Sequence, residues 1–589
     1  MAPPDRFSRH HAEPARPQRR RAHAPPKPPA APRPPGTGLR GLLRTIDGGP
    51  FQAYRKILGE HEIGDFSLAV VSVPPDALGG PARVRLSIDR ARAGLDAAWS
   101  RGDVACLVLE DAIVRAATRA LEELAGPSAG AAPGSGRVWI DPCGEGLTDR
   151  TNARVGDHRL DLALAIDLPA ASRRVRGLQA ELIFFEQLPR LGMAALLFPL
   201  RRVNDVRPQV AAVARSRAVA TALPGRGLAA LVTSPALPGR IVAPDSRTTI
   251  ETSHGPVTGL GIPTGITLFV TPGVSGAGAW LENLATASGR AGGGPAIFAG
   301  PVSTLRASRR SFGPLDLGAF VAACPEAPDP QAFVTEDAPA PLAVAASLVE
   351  AVEAGARILV LDDDGSPAGT FEPQDERMKG ILGAAPSFRP LTLRLADLRD
   401  RWGLSFFIAA RSPGSLLEVA DSVFVLRDDR IEDASEAVRA LRRNAPVLHD
   451  ATSRALTPLP RARSMRVTTE DVPGRLKVAA WGSRGVRVGE DLVDLSDTSL
   501  AGDPARLRAI AALLKRAAAE APAWRPVEEV LNALEAATAR PRLDALVEPG
   551  LVDLAAPSRL AIAAALVRWK RVDFRVDAVR LGPASEDLP

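Results

Sequence analysis

Residues Gly265 to Ala285 read GITLFVTPGVSGAGAWLENLA: an apolar, β-branched run, a glycine-rich turn, then a helix-forming stretch. Further on, Ile358 to Asp364 reads ILVLDDD, a second buried-strand pattern that ends in carboxylates. Between and beyond these runs, Ala343–Ala354 has a helical pattern, while Arg357–Leu361, Leu404–Ala409 and Ser422–Leu426 have strand patterns. Alternation of this kind predicts a sheet with parallel strands covered by helices, placed here between about Leu237 and Asn444.

A chain of 589 residues divides into several domains, roughly three or four by length alone. Before the central block, Leu39 to about Ala236 reads as mixed α/β, with a strand at Phe66–Val73 and a helix at Val104–Leu124. A Gly/Pro/Ser/Ala linker, Gly126–Gly136, separates that helix from the next strand. After the central block, Ala445 to about Arg575 opens with basic, irregular sequence and closes with two alanine-rich amphipathic helices, the second over Ala556–Trp569. The fold class expected is therefore α/β, with a nucleotide-binding type of core between an N-terminal α/β domain and a mainly helical C-terminal domain, and a short tail after residue 575.

Charge is concentrated at one end. Met1 to Thr45 holds ten Arg and Lys against two acidic residues, whereas the whole chain carries +6. Residues 1–38 include PPKPPAAPRPPG, too proline-broken for a transit helix and without the apolar centre of a signal peptide. They read as a disordered, polyproline-leaning basic arm, suited to sequence-tolerant contact with phosphate backbones or to no partner at all. No stretch approaches the roughly 20 apolar residues of a membrane span, so no membrane association is expected. Cys106, Cys143 and Cys324 are scattered and form no CxxC pair, which suits a reducing cytoplasm and points to neither a disulfide framework nor a zinc site.

The strand, glycine-rich turn and helix at 265–285, with ILVLDDD downstream, have the layout of a P-loop NTPase. There the loop cradles phosphate and the second strand delivers a magnesium-binding Asp. G-x-x-x-x-G-K-[ST] requires Gly, Gly, Lys and Ser/Thr. The chain has Thr271, Gly276, Ala277 and Gly278 at those positions. Asp362, Asp363 and Asp364 also fit a plain alternative, a solvated turn at a strand end.

An ordered series of segments carries a closer resemblance: IDGGPFQAYRKILGEHEIGDFSLAV from Ile46, PARVRL from Pro81, GSGRVWIDPCGEGLTDRT from Gly134, LPAASRRVRGLQA from Leu168 and VTGLGIPTGITLFV from Val257. AGARILVLDDD from Ala354, VADSVFVL from Val419, GEDLVDLSDTSL from Gly489 and SRLAIAAALVRWKRV from Ser558 continue it. The chain resembles the ABC-class ATPase family, which includes a mitochondrial RNA-binding member, over nearly its whole length, from about Leu43 to Arg575. The resemblance implies a P-loop core that binds ATP and Mg2+ between two copies of the chain, hence a homodimer, and RNA or another nucleic acid as partner.

Carried over position by position, the nucleotide-binding residues are Gly273, Gly276, Ala277, Gly278 and Ala279. Asp362 stands at the magnesium position, and Asp363 at the position of the catalytic Glu, one methylene shorter. The family's GGGYHGKST reads TPGVSGAGA here, Thr271–Ala279, without the lysine or the hydroxyls. Its signature segment, ENASGSTSQA, reads EDAPAPLAVA, Glu336–Ala345, without hydroxyls and with two prolines. The resemblance therefore implies a degenerate member with impaired or absent turnover. Two further readings stand beside it: a weak ATPase in which Arg309 or Arg310 substitutes for the lysine, and a purely structural interaction module. Arg173, Arg174 and Arg176 form a basic cluster that suits nucleic acid or plain solvation, and GSGR at Gly134–Arg137 reads as a flexible linker or a phosphate contact.

Overall fold

The computed structural model describes residues 38–581 apart from 97–101, 126–133, 145, 234–240, 243–245, 272–276, 288–293, 295, 308–309, 323, 363–380, 382–388, 390, 411–413, 428–429, 445–459, 469–475, 497, 499–501, 540–541 and 547–552. The basic arm therefore lies outside the described residues, as do Gly273, Gly276, Asp363 and Arg309.

The N-terminal block is a six-stranded antiparallel sheet in the order Gly59–Ile63, Phe66–Ser72, Ala82–Asp89, Arg159–Ile166, Val138–Trp139, with Ala153–Val155 also paired to Arg159–Ile166. Its strands alternate, as Ala82–Asp89 illustrates: Ala82, Val84, Leu86 and Ile88 are buried with the helices, while Arg83 and Arg85 point the other way. The helix expected at Val104–Leu124 runs Asp103–Ala125, and Val108, Ile113, Val114 and Ala117 bury one face of it. The Gly134–Gly136 turn is packed rather than loose: a Cβ on Gly136 would lie 2.9 Å from Ile183 Cδ1, and Ala170 N–H donates to Gly134 O.

The central block is built on β1 (Ile266–Val270), α1 (Ala277–Ala287), β2 (Val302–Leu305), α2 (Ala340–Glu353), β3 (Ile358–Asp362), β4 (Ser405–Ala410), β5 (Ser422–Arg427) and β6 (Arg430–Asp433). The sheet order is β6-β5-β1-β4-β3-β2, with Ile241–Val242 added outside β6. All pairings from β5 to β2 are parallel, and β6 turns back antiparallel on β5. Both faces are buried, which is why these strands read as continuous apolar runs. Leu268, Leu359, Phe406 and Ile408 share a buried cluster with α2 and the helix Thr392–Trp402, whereas Phe269, Val360, Phe407 and Phe424 share one with α1. Helix α1 buries Ala277, Trp280, Leu281, Leu284 and Ala285 and leaves Ala279, Asn283 and Thr286 exposed on one stripe. A second, antiparallel sheet, Arg247–Ile250, Val257–Pro263, Leu228–Thr233 and Ala296–Phe298, closes over it.

The C-terminal block contains β7 (Arg461–Val467), α3 (Pro504–Glu520), α4 (Val527–Thr538), α5 (Arg559–Leu566) and β8 (Val572–Arg580). Its helices pack on two three-stranded antiparallel sheets, Arg525–Pro526/β7/β8 and Val478–Trp481/Gly485–Val488/Asp491–Asp494. The basic stretch expected to be irregular thus supplies a strand. RARSMRV conceals its alternation because Arg463 shares the buried face with Met465 and Val467.

Candidate functional site

The crevice of a parallel α/β sheet lies beyond the carboxyl ends of its strands. β1 and β3 end side by side there with only β4 between them, Val270 opposite Ala410 and Asp362 opposite Ala409. This topology brings the loop-bearing strand and the carboxylate strand to one place, as the sequence pattern requires. Of the expected nucleotide-binding residues, Ala277, Gly278 and Ala279 open α1. Ala277 is 1% exposed and belongs to the apolar cluster with Phe269, Trp280 and Leu281. Ala279 is exposed.

Gly278 and Asp362 meet. A Cβ added to Gly278 would lie 2.0 Å from Asp362 Oδ2, 2.2 Å from its Cγ and 2.5 Å from Oδ1. The volume that a Ser or Thr side chain would fill at this position is therefore occupied by the carboxylate. The two residues are 84 positions apart by their numbering, and no local pattern announces the contact. The available signal was a pairing: glycine where the resemblance leads one to expect a hydroxyl, together with an aspartate at the expected carboxylate position.

The segment 336–345, expected at the signature position, is exposed at Glu336, Asp337 and Pro339 and enters the core at Ala338 and from Leu342 onward. Pro339 precedes α2 with no side-chain cap, Ala338 N–H donates to Arg310 O at 3.3 Å, and Ala343 N–H donates to Pro339 O. Pro339 and Pro341 have no N–H to offer. Arg310 is committed elsewhere: its guanidinium pairs with Glu350 and lies 3.8 Å over the Phe312 ring. Glu350 also faces Arg463, which forks onto Glu353 with Nε 2.9 Å from Oε2. Service as a substitute phosphate cation would require Arg310 to leave that buried network.

Arg174 donates to Gly48 O, while Ser172 and Arg173 hold positive φ angles of 48° and 65° at the tip of a hairpin between Ala170–Ala171 and Arg174–Val175. Arg173, Arg174 and Arg176 are exposed. Burial pushes the Cys143 thiol up to about 12, reinforced by Asp111, which disfavours its thiolate form. Among the described residues no group of three His, Cys, Asp or Glu side chains is placed to hold a metal, and no helix is long and apolar enough to cross a membrane.

Three family models match the chain in order. The model described as the N-terminal part of ATPases of the ABC class covers residues 37–198, the ABC-class P-loop domain covers 205–462, and the MRB1590 C-terminal domain covers 477–575. No curated protein matches. With a P-loop domain between the two partner domains of the same architecture, and with the parallel sheet and carboxylate strand in place, the chain belongs to the family of ABC-class ATPases.

Proposed function

We propose that this chain keeps the ABC-class core as a binding scaffold without magnesium-dependent ATP turnover, and that its partner is RNA or another nucleic acid. The carrying observation is the seat of the Asp362 carboxylate against Gly278. The residues at 277, 278 and 362 do not fit magnesium-bound ATP. Ala277 provides no cation for phosphate, Gly278 provides no hydroxyl for the metal, and Asp362 lies where that hydroxyl would be. Loss of one charge-assisted hydrogen bond removes roughly 1.5–3 kcal/mol, and a transition state with more charge on its oxygens loses more. Purified full-length protein is expected to hydrolyse no ATP above an Asp362→Ala, Asp363→Ala control. Magnesium-dependent turnover that disappears in the control overturns the reading.

The nucleic-acid half rests on the ten Arg and Lys within the first 45 residues and on the exposed Arg173, Arg174 and Arg176. Phosphate contacts of this kind release counterions, so binding is expected to be sequence-tolerant and to weaken steeply between about 50 and 200 mM salt. Deletion of residues 1–38 is expected to flatten the slope. An unchanged slope moves the contact to the folded body, and absence of binding at low salt leaves the interaction-module reading.

A further inference from the structure

Gly278 is not explained by its backbone. Helical glycine is disfavoured relative to alanine, and Gly278 does not hold a positive φ, so any residue adopts its conformation. What glycine supplies here is space. In a helix the Cα–Cβ direction tilts toward the N-terminus, so the carboxylate that occupies this space lies on the N-terminal side of the first turn of α1. The N-terminal end of a helix favours negative charge, and α1 has no acidic residue of its own in its first turn. Asp362 reaches the position from the end of β3.

We propose that Asp362 acts as a built-in anion at the N-terminal end of α1, seated against Gly278 where a hydroxyl side chain that serves phosphate and its metal would otherwise project. The proposal rests on the reading above that the cradle does not take magnesium-bound ATP, and it gives the cause: the position is filled and carries the wrong charge. It reverses the sign expected for a magnesium-binding aspartate. Removal of a metal ligand weakens magnesium-dependent nucleotide binding, whereas removal of a plug strengthens metal-free anion binding.

The test has two arms on the full chain. Fluorescent ATP is titrated in EDTA and in magnesium against the wild type, Asp362→Ala and Asp362→Asn; the Asn variant keeps the side-chain shape if Ala does not fold. The wild type is expected to bind weakly in both conditions, and loss of the carboxylate to tighten binding in EDTA by on the order of tenfold. The second arm reads the contact itself by thermal melting. Gly278→Ala is expected to lower the Tm of the wild type, because its Cβ evicts the carboxylate. In the Asp362→Ala background it is expected to raise the Tm, because alanine is the better helix former. No gain in ATP affinity, or a Tm lowered equally in both backgrounds, overturns the plug while leaving the absence of turnover intact. Wild-type binding that magnesium strengthens and Asp362→Ala abolishes makes Asp362 a metal ligand, and then the plug and the reading beneath it both fall.

Discussion

Residue 277 carries a methyl group and residue 278 no side chain, at the positions where the resemblance leads one to expect an ammonium and a hydroxyl. The Ala277 methyl is buried among Phe269, Trp280 and Leu281. A lysine there must route its chain past these side chains or leave its charge among them, and overpacking alone costs about 1–3 kcal/mol. Ala277→Lys is therefore expected to lower stability by about 2–4 kcal/mol, read as a shift in the urea midpoint. A stable variant that gains ATP binding shows instead that the cradle has room for the side chain. Ala277 and Gly278 were legible as departures from the expected pattern, and Asp362 as a match to it. The contact between Gly278 and Asp362 was not, because it depends on where two strands end across an intervening third.

At the scale of elements, the apolar runs at 266–270, 358–362 and 405–410 were readable because strands buried on both faces need no polar alternation. β7 was not readable, and the reason is a single residue. Arg463, with its side chain 1% exposed, sits on the inward face of the strand and is neutralised by Glu353 and Glu350 at the end of α2. Its ring contact with Phe574 on β8 completes the site. A buried charge costs several kcal/mol when its partner is removed, because the remaining ion stays desolvated. Arg463→Ala is expected to destabilise the chain by about 3–5 kcal/mol in urea unfolding. Arg463→Met combined with Glu353→Gln is expected to cost less than the sum of the two single changes. Strict additivity removes the pair as the tie between β7 and α2.

Across the whole molecule, the N-terminal and C-terminal blocks clasp each other directly. Thr151 N–H donates to Leu554 O at 3.0 Å, Leu554 N–H donates to Thr151 Oγ1 at 2.9 Å, and Ala556 N–H donates to Asp149 O at 2.9 Å. Beneath this seam Arg150 binds Asp553 at 2.9 Å and Asp503 at 3.3 Å, while Arg508 pairs with Asp141. Asp553 is 0% exposed. Burial pushes its carboxyl up to about 6, with Asp141 adding to the shift and Arg150 and Arg508 opposing it. A folded-state value raised above the unfolded one means that the folded junction holds the proton more tightly. Its stabilising share is full below about pH 4 and is lost as pH rises through about 6, on the order of 3 kcal/mol. Asp553→Asn is neutral at every pH, so its stability relative to the wild type is expected to rise between pH 4 and 7 in urea titrations. A difference that stays flat with pH excludes Asp553 as the titrating group. The sequence by itself determined the three-block order, the parallel core and the absence of a cation and a hydroxyl at 277 and 278, because these follow from local periodicity and from residue identity. The tertiary structure alone decided that Asp362 fills the space above Gly278, that Arg310 and Arg463 are held by glutamates of α2, and that Asp553 is buried against Arg150. Each of these depends on groups far apart in the chain whose desolvation is decided only when packing brings them together.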